Sequence, residues 1–288
     1  MGQILAIREK ENEYMSERTF LDENEGRSLT SRRGFLTGSA AALAGGALMA
    51  VPGAAFAKGN GEDEDEKQGG KQNHGGVTDV DILNYALTLE HLEYAFYRDG
   101  LKKFDAGDFK NYFKKNKPYT TQGIKELEGE KVYDEFEIIR EHEDTHVDTL
   151  KSVIRSLGGR PVPEAEYNFR KTAFTSVKKF VSVAQFLENT GVSAYDGAIA
   201  YIDAAKLVTA GATIATVEAR HASYLNLLNG DDPFPKPFDV PAAPRAICEA
   251  VQAENDGFIV SAPMPYGPYN SLDALCNRLP NKVIALPA

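Results

Sequence analysis

The sequence predicts an all-α protein: a bundle of four long helices with a long crossover between the second and third, followed by an irregular C-terminal extension. Three observations carry this expectation. From Asp79 to Asn229, apolar residues recur at alternating steps of three and four, the period of a helix that buries one stripe. Each of four such stripes is interrupted near its middle by a glutamate. The segment from Gly158 to about Ser176 is long enough to carry the chain from one end of a bundle to the other.

The first helix is expected from about Thr78 to Leu101, with the stripe Leu83, Leu87, Glu90, Tyr94 and Tyr97. The second runs from about Lys131 to Leu157, with Phe136, Ile139, Glu143, His146, Leu150, Val153 and Leu157 in line. Gly158-Gly159 ends it, and Pro161 lies just beyond. The third runs from about Val177 to Leu207, with Val181, Ala184, Glu188, Gly191, Tyr195, Ala198 and Ile202. The fourth runs from about Ala210 to Leu228 along Gly211, Ile214, Glu218, His221, Leu225 and Leu228, and Gly230 closes it. The bundle thus spans residues 79–229. The proline-rich extension, residues 230–288, is expected to form one short helix near Arg245 to Glu254 and to wrap the bundle.

A carboxylate buried without a partner costs several kcal/mol. Four of them at mid-length in four stripes call for a shared partner, and a cation between the helices supplies it. Residues i and i+3 lie about 60° apart on a helix. Glu143 with His146, and Glu218 with His221, can therefore each reach one ion from one face, while Glu90 and Glu188 bridge or cap. Four carboxylates and two imidazoles form a hard oxygen set with a little nitrogen, which suits two iron or manganese ions. A faint repeat runs through the set. Tyr97 follows Glu90 by seven residues, as Tyr195 follows Glu188, and Glu143 and Glu218 each have His at +3 and Leu at +7.

Glu93 is an alternative to Glu90, because it fits the register Ile82, Ala86, Leu89, Glu93, Phe96; with Glu90 as the ligand, Glu93 falls behind it. Tyr97 and Tyr195 either serve the metals with electrons or hydrogen bonds, or are core residues with a satisfied hydroxyl. Gly191 either opens room for a small oxygen species or lets two helices approach. His91 and His142 flank ligands but point about 100° away from them, which places both at the surface.

The 288 residues are 42% hydrophobic and 26% charged, with a net charge of −10. A chain this acidic, with no Lys/Arg block, offers nucleic acid no purchase. Two cysteines, Cys248 and Cys276, exclude a Cys-rich metal centre and leave room for a single bridge. No Ser/His/Asp, Cys/His or phosphate-loop constellation is present.

The N-terminus reads as an address. Ser31-Arg32-Arg33-Gly34-Phe35-Leu36 precedes an apolar run to about Met49, then the small-x-small site Ala55-Phe56-Ala57. Residues 1–57 are therefore expected to be a twin-arginine signal peptide, with the twin-arginine translocase as partner during export. The mature protein would be periplasmic or extracellular and free of the membrane after cleavage. Residues 58–78, acidic and rich in Gly, are expected to be a disordered linker.

Leu87-Thr88-Leu89-Glu90-His91-Leu92-Glu93-Tyr94-Ala95-Phe96-Tyr97, Leu187-Glu188-Asn189-Thr190-Gly191-Val192-Ser193-Ala194-Tyr195-Asp196-Gly197-Ala198 and Val217-Glu218-Ala219-Arg220-His221-Ala222 resemble the bacterial and fungal ferritin-like family that includes desiccation-related and stress-responsive secreted proteins. Asp232-Pro233-Phe234-Pro235-Lys236-Pro237-Phe238-Asp239 is similar to that family's tail. The resemblance covers about Asp79 to Ala250. It implies a ferritin-like fold and a di-metal carboxylate site, but brings no reaction with it. The ligand set points to a small substrate (oxygen, peroxide or ferrous ion) and to a di-iron oxidase, a ferroxidase or a di-manganese catalase-like oxidoreductase. The alternative is a non-catalytic metal-binding or structural stress protein. A longer connection from about Lys102 to Glu130, and the C-terminal tail, depart from ordinary ferritins and put cage assembly in doubt, with a homo-oligomer left open.

Overall fold

The structure, a computed structural model, describes residues 76–115, 129–170, 172–252 and 257–284. The expected signal peptide and the linker up to residue 75 lie outside the described residues. Helix α1 (Asp79–Lys103) starts at Thr78, whose hydroxyl accepts the Asp81 N–H while the Asp81 carboxylate accepts the Thr78 N–H, a reciprocal cap. Every residue from Asp81 to Glu93 is buried. Over this stretch the helix has no solvent face, so the single stripe expected for it understates its burial.

Helix α2 (Ala106–Lys115) occupies part of the first connection, where the sequence reading placed none. Asp105 and Asp108 cap each other's backbone N–H at 2.9 and 3.2 Å, and Phe109 and Phe113 turn inward. The cue was Asp-x-x-Asp followed by two Phe four residues apart. Helix α3 (Gly129–Ser156) ends as expected at Gly158, in the left-handed region at φ 76°, with the Gly159 N–H returning to the Ile154 carbonyl.

The crossover holds a two-residue strand, β1 (Glu166–Tyr167), and leads to α4 (Val177–Ile199), which is capped by the Ser176 hydroxyl. Helix α4 stops eight residues before the expected Leu207, and α5 (Ala205–Asn229) begins five before the expected Ala210. The Asp79 carboxylate fixes this break by accepting the N–H groups of Asp203 and Ala204 at 2.8 and 3.2 Å. No Gly or Pro marks the turn, whereas Gly211 sits inside α5. Helix α1 packs along α3 and α4 along α5, and α1 and α4 meet across the middle. One end of the bundle is filled by Phe96, Phe104, Phe109, Phe136, Phe174 and Phe180, with ring centroids 4.9–6.2 Å apart between neighbours.

The extension forms two short helices rather than one: α6 (Pro244–Ala250) and α7 (Leu272–Arg278), the latter unforeseen although Ser271 caps it. Strand β2 (Ile259–Ser261) pairs antiparallel with β1. A disulfide joins Cys248 to Cys276, closing a loop of 28 residues. The extension covers the outer side of α1. Tyr269 donates to Asp81 at 2.8 Å, Arg278 grips the same carboxylate at 2.8 and 2.9 Å, and Tyr266 donates to Thr88 at 3.2 Å. It also crosses α4 at Gly197, where a Cβ would stand 1.7 Å from the Ala242 carbonyl oxygen. Among the described residues, no helix is long and apolar enough to cross a membrane.

Candidate metal centre

At mid-height the four long helices turn charge inward. Helix α1 brings Glu90 and Glu93, α3 brings Glu143 and His146, α4 brings Glu188, and α5 brings Glu218 and His221. All seven are buried, and Glu90, Glu143, Glu188 and Glu218 have no exposed surface. Their donor atoms form two overlapping groups: Glu90, Glu143, His146 and Glu218; and Glu143, Glu188, Glu218 and His221. Within each group one donor atom per residue lies within 4.8 Å of every other. Glu143 and Glu218, one from each Glu-x-x-His helix, belong to both groups.

The imidazoles set the orientation. His146 Nδ1 lies 3.2 Å from Glu90 Oε2 and 3.1 Å from Glu143 Oε2, and His221 Nδ1 lies 3.2 Å from Glu188 Oε2. Two further approaches, His146 Nδ1 to Glu218 Oε1 at 3.2 Å and His221 Nδ1 to Glu143 Oε1 at 3.1 Å, are ionic in distance but misdirected for a hydrogen bond. Glu143 Oε1 and both Glu218 oxygens therefore lie fully buried with no hydrogen-bond donor. Buried carboxylate oxygens without donors, converging with imidazole nitrogens, are what a bound cation satisfies. The clusters can hold metal ions, and their hard oxygen and imidazole donors fit a first-row divalent metal.

The protons of the metal-free cluster follow from crowding. Burial, and then the neighbouring Glu143 and Glu188, raise Glu218 well above the usual carboxylate range. Burial also raises Glu143, to about 7, against the pull of His146 and His221. For Glu90, burial would raise the value, but the charge and hydrogen bond of His146 outweigh it and hold Glu90 low. Burial opposes charge on His221, yet Glu188 and Glu143 bring it up to about 10, and Glu90 with its neighbours drives His146 higher still.

The two tyrosines are cross-strapped. Tyr97 on α1 donates to Glu188 Oε1 on α4 at 2.6 Å, and Tyr195 on α4 donates to Glu90 Oε1 on α1. Burial and the carboxylates keep both phenols well above their ordinary value, so both remain donors. Each tyrosine fixes the glutamate of the opposite helix.

Glu90 and Glu93 are not exclusive. Glu90 stands in the first group, and Glu93 borders the cluster where α1 faces Gly191 of α4. A Cβ on Gly191 would lie 3.1 Å from Glu93 Oε1 and 3.2 Å from Glu218 Oε2. The room left by Gly191 is thus bordered by two carboxylates. Burial, then Glu188, Glu90 and Glu143, push Glu93 well above its ordinary value.

The two flanking histidines part ways. His91, expected at the surface, is buried at 2% exposure with neither ring nitrogen hydrogen-bonded. The reason is the enclosure of α1 on all sides. Burial and then the charge of Lys151 lower it to about 4, against the Val162 backbone and the charges of Glu90 and Asp148. His142 is exposed as expected, but it is not detached from the site. Its ring stacks on His221 with centroids 5.2 Å apart and 13° between planes, and its Nδ1 lies 2.9 Å from His221 Nε2. Periodicity on α3 alone could not show this, since the contact depends on how α3 and α5 are aligned.

A family model described as a ferritin-like domain matches residues 78–231, the stretch that contains all four long helices and the whole cluster. No curated protein matches the chain.

Proposed function

Because the chain belongs to the ferritin-like domain family, we propose that its central cluster holds two iron or manganese ions and reacts with oxygen, peroxide or ferrous ion in stress defence outside the cytoplasm. The observation that carries this reading is the sharing of Glu143 and Glu218 between two donor groups, each completed by its own glutamate and its own histidine. When bound, a pair of such ions supplies two electrons together. The protein's part is to hold the donors still. Tyr97 and Tyr195 fix the outer glutamates, and the helices keep all four ligand carboxylates away from water. A site so enclosed favours a small reactant.

Two features support export. The Ser31-to-Ala57 pattern is that of a twin-arginine signal, and the Cys248–Cys276 disulfide belongs in an oxidising compartment. Changing Arg32 and Arg33 together to Lys is expected to trap a precursor in the cytoplasm; normal processing of the double variant would refute the address.

The reaction is tested by loading metal-free protein separately with iron and with manganese. Peroxide loss and ferrous oxidation are then followed beside a Glu143→Ala, Glu218→Ala control. At least one loaded form should outpace the control by about tenfold, roughly 1.4 kcal/mol in barrier. Manganese is expected to favour peroxide dismutation, and iron the oxidation of ferrous ion. If neither does so, the cluster binds metal for carriage or for structure, the non-catalytic reading.

A further inference from the structure

The largest exposure in the cluster lies at its two imidazoles. The four glutamates of the two donor groups have no exposed surface, while His221 and His146 keep 5% and 8%. Both histidines belong to α3 and α5, whose backbones approach each other less closely than those of α1 and α4 do. The seam between α3 and α5 therefore carries the most exposed residues of the two donor groups. His142 stands in that seam, exposed on one side and stacked on His221 on the other. Glu135 lies two turns earlier on α3 and acts electrostatically on Tyr224, three residues beyond His221, so an exposed carboxylate borders the same seam.

The use of the nitrogens is specific. His221 turns Nδ1 inward to Glu143 and Glu188 and turns Nε2 outward, 2.9 Å from His142 Nδ1. With an ion held at His221 Nδ1, its Nε2 would carry the proton and His142 Nδ1 would accept it. The outer ring is thus an exposed imidazole whose accepting nitrogen is held by a buried ring, and that nitrogen becomes open to an ion when the hydrogen bond to His221 parts. The corresponding position before Glu218 is Val217, which offers no donor.

The geometry points to His142 as a handover ligand. It takes a divalent metal ion from solvent at the seam and passes it inward by exchanging its own imidazole for those of the cluster. This rests on the two-metal reading of the cluster. It assigns His142 to the filling of the site rather than to the filled site, and so predicts an effect on rate without one on final occupancy.

The test uses the full mature chain, freed of metal, with cobalt(II) as probe and its absorption bands as readout. Two variants separate the possible roles: His142→Ala removes the ring, and His142→Phe keeps a ring to stack on His221 but has no nitrogen. Both should take up cobalt about tenfold more slowly than wild type and reach the same final stoichiometry and spectrum. Added imidazole should restore the rate of His142→Ala. Wild-type rates in His142→Phe would overturn the proposal, because stacking alone would then suffice. A lower final occupancy or an altered spectrum in either variant would also overturn it, since His142 would then be positioning His221 within the filled site. If the wild-type chain itself takes up no cobalt, the two-metal reading falls and the handover with it. If the wild type fills and both variants match it, only the handover falls.

Discussion

The bundle is two helix pairs, α1 with α3 and α4 with α5, that carry the same chemistry in the same order. Each pair opens with a glutamate followed seven residues later by a tyrosine, and closes with Glu-x-x-His followed by a buried leucine, Leu150 or Leu225. The tyrosines cross between pairs, so neither half completes its own glutamate. Two positions break the likeness. Glu93 on α1 faces Gly191 at the matching place on α4, and His142 before Glu143 matches Val217 before Glu218. The shared residues build the cradle. The unmatched ones both belong to the α1–α3 pair, which adds a carboxylate beside the cluster and an exposed imidazole stacked on His221.

The largest expected effect removes what the halves share. Glu143→Ala or Glu218→Ala takes a donor from both groups at once and should drop metal content from about two ions per chain to below one. Glu90→Ala or Glu188→Ala takes a donor from a single group and should leave about one ion. Elemental analysis of the purified variants checks this. Equal losses in all four variants would mean that the groups are not two sites sharing two glutamates.

Metal removal should next expose the crowding that both halves create. In the metal-free protein Glu143 is raised from 4.5 to about 7, and Glu218 and Glu93 are raised with it. A carboxyl that holds its proton more tightly when folded contributes stability that is fully present below pH 4.5 and is lost as pH rises through the folded value. Between pH 4.5 and 7 the folded state binds more protons than the unfolded state, so stability falls as pH rises. For Glu143 alone the loss is about 3 kcal/mol. His221, raised from 6.5 to about 10, adds to the decline above pH 6.5. Denaturant melts of chelated protein at pH 5 and pH 8 should show the drop, and metal-loaded protein should not. A metal-free protein equally stable at both pH values would contradict the carboxylate crowding.

The comparison also shows what the sequence could reveal. Ligands and tyrosines lie on regular helices at fixed spacing, so a period of 3.6 residues was enough to line up Glu90, Glu143, His146, Glu188, Glu218 and His221 before any contact was known. The α4–α5 turn was not legible, because the Asp79 carboxylate that makes it lies more than a hundred residues away. His91 was misjudged for a similar reason. Its position on α1 is a surface position on an isolated bundle, and the Pro-rich extension and the crossover enclose α1 from Asp81 to Glu93. Long-range burial, unlike periodicity, leaves no mark in the local pattern.

If the crossed tyrosines are equivalent, Tyr97→Phe and Tyr195→Phe should cost the same. Each removes one hydrogen bond to a buried carboxylate, worth about 1.5–3 kcal/mol, from a ring that otherwise keeps its packing. Thermal or denaturant unfolding of metal-loaded protein measures both. A cost in one variant and none in the other would show that the strapping is not reciprocal in energy, whatever its geometry.

The smallest expected effect bears on the sharpest difference. Gly191→Ala places a methyl group 3.1 Å from Glu93 Oε1 and 3.2 Å from Glu218 Oε2, so both carboxylates must yield by a few tenths of an ångström. Within a helix the same change favours folding by about 1 kcal/mol, because alanine loses less backbone freedom than glycine. The two effects oppose each other, and the metal-free protein should shift by less than about 1 kcal/mol. Metal binding has no such offset, since Glu218 serves both donor groups and must keep its place. Affinity should therefore fall several-fold in Gly191→Ala, on the order of 1 kcal/mol, and most of it should return when Glu93→Ala is added. Titration of the two single variants and the double variant closes the cycle. Coupling between residues 93 and 191 would identify Gly191 as the vacancy that lets this half of the bundle accept the other half's extra carboxylate, and additive losses would mean that the missing side chain at 191 serves Glu218 alone.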